Sequence, residues 1–81
     1  MSFYPNPTNG DLYLDFILKE NADVSFEIVD INGAILHKSK EQKYSTGQQN
    51  LNLNVNGWVS GIYFIKLSCN NEISHAKFIK N

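Results

Sequence analysis

Residues 61–80 read GIYFIKLSCNNEISHAKFIK, two strand-like runs joined by the polar pair Asn70-Asn71. Runs rich in β-branched and aromatic residues on either side of a short polar turn predict an antiparallel β-hairpin. Residues 62–65 are apolar at every position. This predicts a central strand that is covered on both faces, or one whose second face lies under a loop.

The rest of the chain follows the same period of two. Apolar and polar residues alternate over residues 11–16, 24–28 and 51–55, as expected for strands with one buried face. An Asn-Gly pair predicts a hairpin turn into a returning strand at 34–38, and the polar residues 39–47 indicate a loop or a weak edge strand. With a short segment at Phe3 and Tyr4, about seven strands at this spacing predict a small antiparallel β-sandwich in a single domain, residues 1–81.

Composition excludes several functions. The chain has 81 residues and a net charge of −1, and its seven basic residues are all lysine. Without arginine it lacks the planar fork that binds phosphates and guanines, which argues against a nucleic-acid partner. A domain of this size leaves little room for a deep active-site cleft. No apolar run is long enough for a membrane helix and the start has no signal pattern, so we expect an export signal elsewhere and a chain excised from a longer precursor.

The candidate catalytic and metal-binding residues do not form a motif. His37 and His75 have no nucleophile elbow nearby, and Ser60 reads as a turn residue. Residues 30–33, Asp-Ile-Asn-Gly, resemble part of a calcium loop, but they are too few and are better explained by the hairpin turn. The single cysteine, Cys69, cannot form an internal disulfide. We therefore predict no catalytic residues, no metal site and no cofactor.

Aromatic residues leave one alternative open. Sandwich modules that bind glycans present exposed aromatic rings, and the chain offers Trp58, Tyr13, Tyr44 and Tyr63. Trp58 lies between two glycines just before a strand, where a large apolar side chain commonly closes the end of a sandwich. Burial of Trp58 is thus the favoured interpretation, and an immunoglobulin-like surface module that binds glycan or protein is the alternative.

Two short motifs stand at the ends of the chain. In Tyr4-Pro5-Asn6-Pro7 each proline fixes φ and removes a backbone donor, which predicts a stiff extended lead-in at a sheet edge. At the other end Lys77 and Lys80 are three residues apart on a predicted strand, so their side chains point to opposite faces. One of the two lysines would then face inward unless its strand lies at an edge or projects beyond the core.

Four segments in this order resemble the C-terminal sorting domain of the type IX (Por) secretion system of Bacteroidota, type A. The segments are residues 4–10 (YPNPTNG), the strand from Val24 to Asp30 with Asp30 and Gly33 at its turn, Gly61-Ile62-Tyr63, and Lys77-Phe78-Ile79-Lys80. The resemblance covers nearly the whole chain. It implies a seven-stranded immunoglobulin-like sandwich at the carboxyl end of a secreted protein, which acts as a sorting signal and not as an enzyme.

The resemblance also implies roles for particular residues. The residues expected to be recognised by the translocon are Gly61, Tyr63, Lys77, Phe78, Ile79 and Lys80, and those expected to mark the start of the domain are Tyr4, Pro5, Asn6, Pro7 and Gly10. The implied partners are an amino-terminal cargo domain, the outer-membrane translocon with its shuttle components, and a sortase-like cysteine peptidase. The route would lead through the periplasm and the outer membrane to the cell surface, with cleavage upstream of Tyr4.

Strand pairing offers a physical basis for recognition. A hairpin at the end of a chain can add its edge strand to a partner, so that backbone hydrogen bonds supply affinity and the lysines supply orientation. We accordingly expect loss of the last few residues to abolish sorting while most of the sandwich stays folded.

Overall fold

The computed structural model describes residues 2–81, which form two antiparallel sheets without a helix. One sheet has the strand order β1-β2-β6, and the other has the order β4-β3-β7-β8 with β5 also paired to β3. The strands are β1 (Ser2–Tyr4), β2 (Asp11–Leu18), β3 (Ala22–Val29), β4 (Ile35–Lys38), β5 (Gln42–Tyr44), β6 (Gly47–Asn54), β7 (Gly61–Cys69) and β8 (Glu72–Lys80). The predicted all-β antiparallel sandwich is confirmed. The eighth strand is β5, which arises from the stretch predicted as a loop or weak edge strand.

Alternation along the strands builds the core between the sheets. Leu12, Leu14, Phe16 and Leu18 on β2 are at most 6% exposed, whereas the residues between them are exposed or half-buried. The second sheet supplies the opposite half of the core from β3, β7 and β8, and β6 closes the first sheet with Leu53. The remaining fully or nearly buried apolar residues are Ala22, Val24, Ile28, Val55, Tyr63, Ile65, Leu67 and Phe78.

Local turn chemistry sets the two hairpins of the second sheet. Asn70 and Asn71 both have positive φ, 48° and 71°, and join β7 to β8 as a two-residue turn of the kind that matches strand twist. At the β3–β4 turn Gly33 has φ of 84°, and the Asp30 carboxylate accepts hydrogen bonds from the backbone N–H groups of Asn32 (2.9 Å) and Ala34 (3.0 Å). That carboxylate therefore holds the turn, and the hairpin predicted from the Asn-Gly pair is confirmed by the pairing of β3 with β4.

The outer face of β7 differs from the prediction. β7 does lie between β3 and β8, but Ile62 is 42% exposed and Phe64 is 39% exposed. Nothing within residues 2–81 covers them, so the expectation that both faces of this strand would be buried is wrong. The sequence pattern correctly indicated that both faces are apolar, but a sandwich of two layers buries only the inner one.

Within residues 2–81 there is no helix long and apolar enough to cross a membrane.

Candidate recognition surface at the closing hairpin

The six residues predicted for translocon recognition lie together at one end of the β7–β8 hairpin. The antiparallel register places Gly61 opposite Lys80, Ile62 opposite Ile79 and Tyr63 opposite Phe78. Phe64 faces Lys77 in the next pair. Two motifs that are separated in sequence thus form a single structural unit.

The pleat divides these six residues between the core and the surface. Phe78 is fully buried, and its ring stacks on Tyr63 at 5.5 Å and lies 5.9 Å from Phe3 in the opposite sheet. The Tyr63 hydroxyl donates to the carbonyl of Val59. Gly61 and Ile79 are exposed. In the folded domain Gly61 and Ile79 are therefore accessible from outside, whereas Phe78 and Tyr63 pack the hairpin against the core.

The two lysines point to opposite faces, as their spacing predicted. Lys77 is exposed on the outer face, whereas Lys80 lies on the inner side and is only 8% exposed. The Lys80 ammonium donates to the backbone oxygen of Asn81 at 2.8 Å. Lys77 is consequently the lysine whose charge a partner on the outer face can reach.

The opening motif runs along the edge of β8. We call residues 6–9 the strap. The Asn6 side-chain oxygen accepts a hydrogen bond from the Ile79 N–H (3.0 Å), the Thr8 N–H donates to the Ile79 carbonyl (2.9 Å), and the Asn81 N–H donates to the Thr8 carbonyl (2.9 Å). The expected place at a sheet edge is confirmed, and the strap joins the domain-start motif to the last strand.

Thr8 anchors the strap and was missed by the sequence analysis. It is fully buried, its hydroxyl donates to the carbonyl of Asp11, and the same oxygen accepts from the Gly10 N–H at 3.3 Å. The Gly10 carbonyl in turn accepts from the Val55 N–H at 2.7 Å. A threonine two residues before a glycine is a known turn-forming pattern, and this was the signal that could have identified Thr8.

Tyr4, at the start of the opening motif, lies on β1 in the first sheet. Tyr4 stacks on Tyr13 at 5.4 Å on the outer face of the first sheet, and its hydroxyl accepts from the Asn50 amide at 3.0 Å. Pro5 and Pro7 are exposed. Of the five domain-start residues, Asn6 is the one whose side chain forms a hydrogen bond with β8.

The edge of β8 is covered at one end and open along the rest. The backbone groups of Ile79 face the strap, so alternation directs those of Ile73, His75 and Lys77 to the same edge. In the described part of the chain no strand pairs with β8 there. The result is an open edge over residues 73–77, and unpaired strand edges are templates for strand addition.

The candidates for other chemistry do not assemble into a site. His37 lies on β4, where its ring stacks on that of Phe26 at 5.4 Å. His75 is exposed on β8, and the strands β3 and β7 separate the two histidines. Trp58 packs against Tyr63 at 5.2 Å and is half-buried against the core, as predicted for a residue that closes the sandwich. No group of three or more potential metal ligands occurs within residues 2–81.

Two titratable groups have perturbed pKa values. Glu27 forms an ion pair with Lys66 across β3 and β7, with 3.0 Å between Nζ and Oε1, and this hydrogen bond lowers the pKa of the Glu27 carboxyl. Burial, together with the charge of Glu72, raises the pKa of the Cys69 thiol. A thiol with a raised pKa is a poor nucleophile at neutral pH, which leaves Cys69 a packing role.

Comparison with protein families gives a match over residues 2–81 to the secretion system C-terminal sorting domain. No curated protein and no solved structure matches the chain significantly. An occurrence in Bacteroidota and a place at the cell surface are consistent with that family. The chain therefore belongs to the secretion system C-terminal sorting domain family, and it is a signal for type IX secretion that directs the protein carrying it towards the cell surface or the medium.

Proposed function

We propose that the export machinery recognises this domain in its folded form, through strand addition to the open edge of β8. The observation that carries the proposal is that the strap covers only one end of that edge. The strap binds the backbone groups of Ile79, whereas those of Ile73, His75 and Lys77 face the same edge and no described strand pairs with them there. A partner strand would bind there through backbone hydrogen bonds, and the exposed Lys77 would orient it. In this proposal the domain is a signal and not a catalyst, and it needs no cofactor.

The proposal assigns finer roles to the partners. The outer-membrane translocon and its shuttle components would bind the β7–β8 hairpin after the protein has reached the periplasm. A cargo domain would precede residue 2, and a sortase-like cysteine peptidase would cleave upstream of Tyr4. In support, β1 (Ser2–Tyr4) pairs with β2 at the edge of the first sheet, so a cut before Ser2 would leave every strand in place. Residues 1–81 then form a single sorting domain that stays whole when it is cut from its cargo.

Deleting the carboxyl terminus does not test this idea cleanly. Removal of residues 77–81 would take away Phe78, which is fully buried, and the backbone partners of the strap. The structure therefore argues against the expectation that most of the sandwich stays folded without its last residues. A variant is needed that blocks the edge and keeps the core.

Proline at position 75 meets that requirement. The His75 N–H faces the open edge and not β7, so His75→Pro removes a donor needed for strand addition without removing a β7–β8 hydrogen bond. The assay is export of a reporter that carries a signal peptide and residues 1–81, in a Bacteroidota host with an intact type IX system and in a translocon-deficient strain. We expect the reporter with His75→Ala to be exported and the reporter with His75→Pro to be retained in the cell. The urea unfolding midpoint of the His75→Pro domain should equal that of the wild type. Normal export of a folded His75→Pro protein would contradict recognition at this edge.

A further inference from the structure

The outer face of the second sheet carries a continuous apolar surface. Its five members share that face because the register places them side by side: Ile62 pairs with Ile79, and Phe64 pairs with Val29, which pairs with Ile35. We call these five residues the outer patch. Four of them are at least 39% exposed, and Val29 is half-buried.

The outer patch differs from a single exposed apolar residue such as Ile17. Ile17 is 75% exposed, but it pairs with Gln48 on the first sheet and has no apolar neighbour in its cross-strand row. Single exposed apolar residues are normal on protein surfaces, whereas contiguous ones mark interaction sites. The outer patch is thus expected to be covered by a binding partner, whereas exposure of Ile17 needs no such explanation.

Charges beside the outer patch indicate what that occupant is. Lys77 lies opposite Phe64 at one side, and the neighbouring row places Lys38 and Lys66 on either side of Glu27. Glu27, the only acid in these two rows, is already paired with Lys66. Lys38 lies directly opposite Glu27 and shares that carboxylate with Lys66, whereas Lys77 has no acidic residue in either row. The border of the outer patch therefore carries three lysines and one acid.

This pattern disfavours a second copy of the same face. Two such faces packed together would bring lysines near lysines and leave their charges without carboxylates, and like charges across an interface cost affinity. A complementary surface has an apolar centre with carboxylates beside it. The outer patch lies next to the open edge of β8. One partner could therefore bind the edge and the outer patch together, because a strand added at the edge extends the same outer face.

We propose that the outer patch docks a protein component of the export machinery, through an apolar surface bordered by Asp or Glu side chains. The inference rests on the proposed function for the nature of the partner, but it concerns side chains on the sheet face and not backbone groups at its edge. The two ideas can therefore fail separately.

The test uses the same reporter with threonine substitutions, since threonine is polar and keeps strand propensity. Ile62→Thr with Phe64→Thr removes the centre of the outer patch, and Ile17→Thr is the matched control on the other sheet. We expect export of the double variant to fall by about tenfold or more, as for loss of central interface residues, and the control to be exported normally. Normal export of the folded double variant would overturn the inference, while retention of His75→Pro would still support the edge.

Three further experiments cover unfolding of the double variant, the acidic border of the partner and self-association. If the double variant unfolds, Ile35→Thr replaces it, because Ile35 is 57% exposed on the short edge strand β4 and contributes little to the core. Lys77→Glu should also reduce export if carboxylates face that lysine, and normal export of it would refute the acidic border. Sedimentation of the free domain tests a second copy: a dimer that Phe64→Thr dissociates would assign the outer patch to self-association and overturn the proposal.

Discussion

Phe78 gives the sharpest test of the fold, because it belongs to a motif predicted for recognition and is buried in the core. Its ring contacts Tyr63 at 5.5 Å and Phe3 at 5.9 Å, and therefore bridges the two sheets. Phe78→Ala would leave a cavity between these two rings. The adjacent Ile79 is 40% exposed on the outer face, which makes Ile79→Ala the matched control.

The expected magnitude follows from these contacts. Truncation of a buried phenylalanine to alanine costs about 3–5 kcal/mol, and each aromatic pair adds about 0.5–1.5 kcal/mol beyond its buried area. A domain of 81 residues has a total unfolding free energy of about 4–12 kcal/mol. Phe78→Ala should thus remove a third or more of the stability, whereas Ile79→Ala should remove less than about 1.5 kcal/mol.

Urea unfolding monitored by Trp58 fluorescence measures the difference, since Trp58 packs against Tyr63 beside the substituted ring. With a urea slope of about 1–3 kcal/mol per molar, the midpoint of Phe78→Ala should fall by about 1 M or more at an unchanged slope. Equal midpoints for Phe78→Ala and Ile79→Ala would refute the inward placement of Phe78. Confirmation would mean that poor export of a Phe78 variant reports misfolding and not lost recognition.

Three further outcomes follow from individual contacts. Thr8→Val keeps the shape of the side chain but removes its hydrogen bonds to the Asp11 carbonyl and the Gly10 N–H, both part-buried. At about 0.5–1.5 kcal/mol for each bond, the unfolding free energy should drop by about 1–3 kcal/mol in urea titrations; no change would show that the strap is not anchored there. The pKa of Glu27 is lowered by its hydrogen bond to Lys66, so this pair stabilises the fold fully above the ordinary carboxyl pKa and ceases to do so as the pH falls through the lowered value. The midpoint gap between wild type and Glu27→Gln should therefore be present at pH 7 and become smaller as the pH falls below the ordinary carboxyl pKa, and a gap that does not change with acidification would assign it to another cause. Because burial raises the pKa of the Cys69 thiol, its reaction with a disulfide reagent at pH 8 should be slower in the folded than in the urea-unfolded protein; equal rates would contradict that burial.

Period-two alternation predicted most of the strands because one buried face imposes it directly. Residues 11–16 lie in β2, and residues 51–55 lie in β6 except for Val55, which follows it; their apolar side chains point inward. Asn70-Asn71 forms the expected two-residue turn. The family resemblance rested on four short segments, among them Gly61-Ile62-Tyr63 and Lys77-Phe78-Ile79-Lys80, and is confirmed by the match over residues 2–81. Local sequence signals sufficed wherever a strand or turn is set by neighbours in the chain.

The strap could not be predicted in this way. Asn6 and Ile79 are 73 positions apart, and no periodicity within either segment indicates their contact. Prolines predicted only that residues 4–7 would be extended and at an edge. Which edge they occupy depends on how the two sheets pack, and that is a property of the whole core.

The strap also explains why recognition at β8 would depend on folding. Hydrogen bonds between Asn6, Thr8 and the end of β8 close almost the entire chain into a loop, and the entropy of closing so long a loop is recovered only when the sandwich between them has formed. The β7–β8 hairpin joins neighbours in sequence and can form locally. A partner that binds the open edge of β8 next to the strap would therefore contact a surface that is complete only in the folded domain, whereas a partner that binds the hairpin alone would not distinguish folded from unfolded chains.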